Sequence, residues 1–221
     1  MKFAVVVFPG SNCDRDMMDC LQNDMQQTVI PLWHKDDDIS MLTTEDCIVL
    51  PGGFSYGDYL RCGAIAQFSP MMKKVVEFAQ AGGKVLGVCN GFQILCETGL
   101  LPGALLKNEN QQFVCKNVHI KSEDTGDVLK IPVAHGEGRY YADATVLKEL
   151  NSNHQILYRY CNENGESDAT ANPNGAVEDI AGICNSNRNV FGMMPHPERA
   201  ASALLGNEDG KAVFNMLFGL S

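Results

Sequence analysis

The chain lacks several features that would assign it to a class at once. It has nine cysteines in 221 residues but no Cys-x-x-Cys pair. Cys13/Cys20 and Cys89/Cys96 are each seven apart. That spacing is two helical turns, not the spacing of a metal-ligand set. The odd total points away from a complete disulfide framework and toward thiols kept reduced, most of them as small core residues. No run of basic residues is longer than Lys73-Lys74, and 17 basic face 27 acidic residues for a formal net charge of −10 and a pI near 4.9. Nucleic acid and anionic membranes both need a positive field, so neither is an expected partner. No stretch approaches the roughly 18 apolar residues of a membrane span. Met1-Lys2 runs straight into the apolar residues 3–8, too short for a signal-peptide core. A cytoplasmic location is the expectation. There is no Gly-x-x-x-x-Gly-Lys-Ser/Thr phosphate loop. No internal repeat or linker is visible, so residues 1–221 read as a single domain.

What remains is an ordinary globular composition, with 45% apolar and 20% charged residues. A chain of this length buries roughly 70% of its unfolded surface and needs no metal or disulfide to fold. Apolar runs alternate with amphipathic stretches, the pattern of βαβ units. Residues 3–8, 29–33, 47–50 and 84–88 read as strands. Pro31 places the second at an edge or strand end. Helices are expected over about 13–25, 71–81 and 90–98, the last closed by Gly99. In the second half, 113–120, 131–134, 156–161, 180–184 and 190–194 read as strands. The last two flank the polar turn 185–189, as in a hairpin. Short helices fit near 143–151 and 208–218. The fold class is therefore α/β: an open, mostly parallel twisted sheet with flanking helices, built by the first half, and an antiparallel extension.

Four segments could carry chemistry. Gly87-Val88-Cys89-Asn90-Gly91 lies where a buried strand turns into a helix. Glycines on either side relieve the crowding of a strained nucleophile at such a turn. The helix N-terminus behind it favours a thiolate and a developing oxyanion. The same string also fits a buried cysteine beside helix-packing glycines. Pro51-Gly52-Gly53-Phe54-Ser55-Tyr56-Gly57-Asp58 follows the third strand, on the sheet edge where open α/β folds bind ligands. It can equally be a plain glycine turn. Met194-Pro195-His196-Pro197-Glu198 holds one His and one Glu between stiffening prolines. A thiol nucleophile needs a base, and the base gains from an orienting carboxylate. An exposed proline turn is the alternative. His135-Gly136-Glu137-Gly138-Arg139-Tyr140 reads as a polar loop after a strand. It could line a site, contact a partner or offer a competing His–Glu pair. His34, His119 and His154 have no supporting context.

Together these residues resemble the class I (triad) glutamine amidotransferases, whose fold is flavodoxin-like. Gly87 to Gln93 looks like the nucleophile elbow, and His196-Pro197-Glu198 like the His–Glu pair. Pro51 to Arg61, the Cys-Asn-Gly-Phe-Gln form of the elbow, and Ala134 to Tyr140 resemble one branch in particular. That branch comprises the glutaminase subunits of phosphoribosylformylglycinamidine synthase, in purine biosynthesis. The likeness runs from the first strand to Arg199.

The resemblance implies a glutaminase. Cys89, His196 and Glu198 would be the catalytic set. Backbone N–H groups of Gly53 and Asn90 would hold the oxyanion, and Gly52 and Gln93 would bind glutamine. Phe54, Arg61, His135 and Glu137 would be site wall or partner interface. A glutamyl thioester on Cys89 is the implied intermediate. The ammonia would pass to a synthetase subunit that uses ATP and Mg²⁺, with a small bridging subunit in the complex. No cofactor or metal is expected in this chain. The length suits the free-standing form of the subunit. Two other functions stay open: an amidotransferase serving a different synthetase, and a non-catalytic regulatory subunit. Cys62, where the family pattern suggests a small residue such as Ala, has no assigned role.

Overall fold

A computed structural model describes residues 1–168 and 170–220. Ser221, the end of the expected single domain, lies outside the described residues. In chain order the main elements are β1 (Lys2–Val7), α1 (Asp14–Asp19), β2 (Thr28–Trp33), β3 (Cys47–Leu50), α2 (Pro70–Gln80), β4 (Lys84–Val88), α3 (Asn90–Glu97), β5 (Ala104–Leu106), β6 (Val114–Ser122), β7 (Val128–His135), β8 (Arg139–Tyr141), α4 (Ala144–Ser152), β9 (Ile156–Cys161), β10 (Ile180–Cys184), β11 (Val190–Met193) and α5 (Asp209–Phe218). Among the described residues no helix is long and apolar enough to cross a membrane. The chain divides into two compact units, Met1–Pro102 with Cys184–Gly192, and Gly103–Ile183 with residues 193–220.

In the first unit the strands run in the order β2-β1-β3-β4-β11. The pairs β1/β2, β1/β3 and β3/β4 are parallel. The runs that build β1 and β3 are apolar on both faces because both faces are covered, as parallel sheets require. Pro31 lies opposite Val5 on the edge strand β2, where a missing N–H costs no ladder bond. Ser69 caps α2 by accepting from the Met72 N–H, and Pro70 occupies the first helical position. The expected single helix over 13–25 is instead α1 followed by a widened turn over Cys20–Asp24, where the Met25 N–H reaches back five residues to the Cys20 carbonyl at 2.9 Å. Four-residue spacing in the sequence does not separate these two windings. Of the nine cysteines, six are buried. Burial pushes the Cys47 and Cys96 thiols well up, which keeps them protonated and inert.

The second unit is antiparallel, in the order β10-β9-β6-β7. A short ribbon pairs β5 with β8. The segment expected as a loop at 135–140 is a loop only in its middle: His135 ends β7, residues 136–138 turn, and Arg139 and Tyr140 belong to β8. Two glycines in six residues hid the strand ends from a propensity argument. Asp143 caps α4 through two bonds to the Thr145 and Val146 N–H groups. Gly210 in α5 lies so close to the Pro197–Ala200 turn that a Cβ there would meet the Pro197 carbonyl at 2.0 Å. This helix therefore presses directly on the turn that bears Glu198.

The closest backbone approach in the first unit occurs where β4 becomes α3. A Cβ on Gly91 would lie 1.9 Å from the Leu50 carbonyl oxygen, and one on Gly87 2.6 Å from Gly91 backbone. Gly91→Ala is expected to lower stability by on the order of 3 kcal/mol. Gly82→Ala, at φ +94 but with nothing within 4 Å, should lose only about 1 kcal/mol. Urea unfolding of the two variants against the parent checks the difference.

Candidate active site

The first unit positions the cysteine. Cys89 caps α3 with φ 50 and ψ −105, a conformation that L-residues rarely hold and that the surrounding structure must impose. The imposition is visible. Gly87 and Gly91 let the elbow close against β3, and the Cys89 carbonyl accepts from the Gln93 N–H at 3.1 Å. Cys89 as a whole is 5% exposed. The backbone N–H of Asn90 sits at the first position of the helix, where no intrahelical acceptor exists.

The side chain of Asn90, fully buried, ties the elbow to the loop after β3. Its Oδ1 accepts from the Ser55 N–H at 3.0 Å, and its Nδ2 donates to Gln93 Oε1 at 2.8 Å and Asp58 Oδ1 at 3.1 Å. The same loop is tied to the turn after β1. The Phe54 N–H donates to the Gly10 carbonyl at 2.9 Å, and the Tyr56 N–H to the Pro9 carbonyl at 2.6 Å. Gly53 has φ +125 and packs on Asn12, whose amide nitrogen a Cβ would meet at 2.6 Å. Only glycine fits there. Thus Gly52, Gly53, Cys89, Asn90 and Gln93 are brought together on one sheet edge. Phe54 is half-exposed. Arg61 lies farther along the loop and pairs with Glu97 at the end of α3 at 2.6 Å. Cys62 donates to Asp58 Oδ2 at 3.1 Å, so the thiol fits its position with a partner. Ser55 and Asp58 lie in the segment 51–58 read from the sequence but had no role there, because nothing in their spacing shows that they meet an asparagine more than thirty residues away.

The second unit positions the histidine and glutamate. His196 Nδ1 and Glu198 Oε1 are 2.7 Å apart, with both side chains buried. A carboxylate only accepts, so Nδ1 carries the proton and Nε2 is the basic nitrogen. The His196 N–H donates to the Pro132 carbonyl of β7 at 2.8 Å, which fixes the segment to the sheet.

His135 lies in the same unit, and its ring is held by two asparagines. Its Nδ1 is 3.1 Å from Asn108 Oδ1, which also accepts the Gly138 N–H at 3.0 Å. Asn174 Nδ2 donates to the Gly138 carbonyl at 2.8 Å and lies 3.5 Å from His135 Nε2. A Cβ on Gly138 would meet the ring at 2.4 Å. Burial first, and then the charge of His196, push His135 down to about 4. It is a neutral, fully engaged imidazole. Its partners are Asn108 and Asn174, so the alternative of a His135–Glu137 pair as the base loses its support. Both asparagines sit in polar turns with no sequence signal of their role.

Comparison with known proteins shows the family. Residues 1–212 match the CobB/CobQ-like glutamine amidotransferase domain family. The chain belongs to that family. Among curated relatives, the phosphoribosylformylglycinamidine synthase subunit PurQ of Gloeobacter violaceus is 52% identical, covering 98% of this chain and 97% of that one. The PurQ subunit of Moorella thermoacetica is 54% identical over 96% of this chain and 92% of its own length. Among solved structures, a chain of PurLQS from Thermotoga maritima superposes with a TM-score of 0.82 at 41% identity, covering 99% of this chain and 97% of that one. A glutamine amidotransferase from the same organism, at 13% identity and a TM-score of 0.60, shares the fold. The α/β expectation and the family expectation both hold.

The state of His135 gives a pH prediction. Its folded value lies below that of an unfolded histidine, so the unfolded chain takes the proton first as pH falls. Stability is complete above about pH 6.5 and declines toward about pH 4, by on the order of 3 kcal/mol in total. In His135→Gln this contribution is absent. Its unfolding free energy should fall less steeply by up to one proton's slope across that window, as measured by urea titrations at several pH values.

Proposed function

We propose that this chain is the glutaminase subunit of a phosphoribosylformylglycinamidine synthase. It hydrolyses glutamine and delivers the ammonia to an ATP-dependent synthetase subunit, which converts phosphoribosylformylglycinamide to phosphoribosylformylglycinamidine. The observation that carries this reading is identity above one half with PurQ subunits, over nearly the full length of both chains.

The residues supply a consistent mechanism. Cys89 Sγ attacks the side-chain amide carbon of glutamine while His196 Nε2 takes the thiol proton. Glu198 holds the imidazole in the required tautomer and stabilises its charged form. The backbone N–H groups of Gly53 and Asn90 receive the tetrahedral oxyanion, and losing one such donor costs on the order of 10²–10³ in rate. His196 then returns the proton to the departing nitrogen, the C–N bond breaks, and ammonia leaves. Water, activated by the same imidazole, cleaves the glutamyl thioester to glutamate and the thiol. Gly52 and Gln93 orient the substrate. The chemistry needs thiol and imidazole within proton-transfer reach.

The match to a chain of the Thermotoga maritima PurLQS structure supports assembly with a synthetase subunit. A small bridging subunit completes the proposed complex. ATP and Mg²⁺ act in the synthetase, and the proposed chemistry of this chain uses neither. The proposed setting is the cytoplasm.

The test is glutamate release from glutamine, by the chain alone and with its synthetase, bridging subunit, nucleotide and substrate. Release should rise strongly on assembly. Cys89→Ala should abolish it, with a loss of at least about 10³, while sparing amidine synthesis from added ammonia. A collapse of the ammonia-dependent reaction in an intact complex would sink the role given to Cys89.

A further inference from the structure

Nothing in the sequence pairs His34 with Tyr56, yet the structure joins them. His34 follows β2 directly and is buried. Its main chain is fixed on both sides: the N–H donates to the Val7 carbonyl of β1 at 3.1 Å, and the carbonyl accepts from the Met71 N–H of α2 at 3.2 Å. Its ring is confined by Trp33, edge-on at 4.5 Å between centroids, and by Phe8 at 6.3 Å. From this fixed seat Nδ1 makes a short hydrogen bond to the Tyr56 hydroxyl. Nε2 is buried and has no hydrogen-bond partner among the described residues, so the Tyr56 bond is the ring's polar anchor. Burial lowers the affinity of His34 for a proton and raises that of Tyr56. Both rings are therefore neutral, and one shared proton makes the bond.

Tyr56 sits three residues after Gly53, in the loop that would present the oxyanion N–H. Its backbone is left-handed, at φ 55, and Gly57 follows at φ 71. A tyrosine does not hold that conformation without support. Packing does not supply it alone. Tyr56 is half-buried and borders an open cavity of about 540 Å³ with Lys35, Ile65, Phe68 and Ser69. Restraints on the loop include its main-chain bonds to Pro9 and Gly10, the Asn90 side chain, the Cys62 thiol on Asp58, and the hydroxyl clasp to His34.

We propose that His34 and Tyr56 are positioning residues for glutamine hydrolysis: their hydrogen bond clasps the loop 53–58 and holds the Gly53 N–H where the oxyanion forms. This rests on the proposed glutaminase activity. The clasp acts only on a donor used in the transition state. Losing it lowers kcat and leaves glutamine binding nearly unchanged.

The experiment uses the assembled complex and compares Tyr56→Phe, His34→Ala, His34→Asn and the double variant Tyr56→Phe/His34→Ala with the parent. Tyr56→Phe keeps the ring and removes the clasp. Its kcat for glutamate release should fall about tenfold, the value of one hydrogen bond, with KM for glutamine within about twofold. His34→Asn, which keeps a partner near the Nδ1 position, should retain more activity than His34→Ala. The double variant should be no slower than the slower single variant. Ammonia-dependent amidine synthesis should stay at the parent level throughout. A Tyr56→Phe kcat within twofold of the parent overturns the clasp. So does an equal loss of the glutamine- and ammonia-dependent reactions, the mark of a merely structural role. A parent complex that makes amidine from ammonia but releases no glutamate overturns the glutaminase reading itself, and the clasp with it.

Discussion

The left-handed cysteine at the end of β4 is the constraint on which the rest of the first unit depends. An L-residue with φ 50 and ψ −105 holds its place only when every neighbour agrees. Gly91 must lack a side chain because the Leu50 carbonyl occupies that space, and Gly87 must lack one because Gly91 does. The Asn90 amide then spends all three of its hydrogen bonds outside the helix ladder, on Ser55, Gln93 and Asp58. The loop after β3 thereby becomes an accessory of the elbow. A strained nucleophile and its supporting loop form one mechanical piece rather than two features that share an edge.

The second unit solves a different problem, the burial of polar groups. His196, Glu198 and His135 are all inside, where an unpaired charge is costly. The paired imidazole and carboxylate satisfy each other at 2.7 Å. His135 is handled by the opposite strategy: two neutral amides saturate it and it stays uncharged. Two histidines of one unit thus have different acid–base characters, set by a carboxylate in one case and by asparagines in the other. Asymmetry of this kind separates a group that can move protons from one that holds shape.

How much of this was legible in the sequence follows from the range of each interaction. The strands 47–50, 84–88, 156–161 and 180–184 were readable to the residue, because short runs rich in β-branched, aromatic and other apolar residues are a local signal. The elbow, the Gly-Gly loop and the Pro-bracketed His–Glu pair were readable because glycine and proline advertise backbone geometry. The contacts of Asn108, Asn174, Asp58 and the His34–Tyr56 pair were not, since each is a single polar residue whose meaning lies in a partner 22 to 39 positions away. The widened turn at Cys20–Asp24 was missed for a subtler reason: the apolar spacing that marks a helix does not record how tightly it is wound.

Residues 184–192 belong to the first unit although the other 102 of its residues come first in the chain. Within that unit β11 borders β4, and Asn189 Nδ2 donates to the Ala79 and Gly83 carbonyls at 2.8 Å. On a ribosome the strand beneath the nucleophile therefore waits, with one flank open, until about a hundred further residues have been made. During that interval β4 is an edge, unpaired on the side that β11 will take, and prone to join another strand. Late closure by a distant strand makes the folding of this sheet strongly non-local, and topologies of that kind fold slowly. The nucleophile elbow lies in residues made early, but the strand order beside it is complete only once β11 has been made.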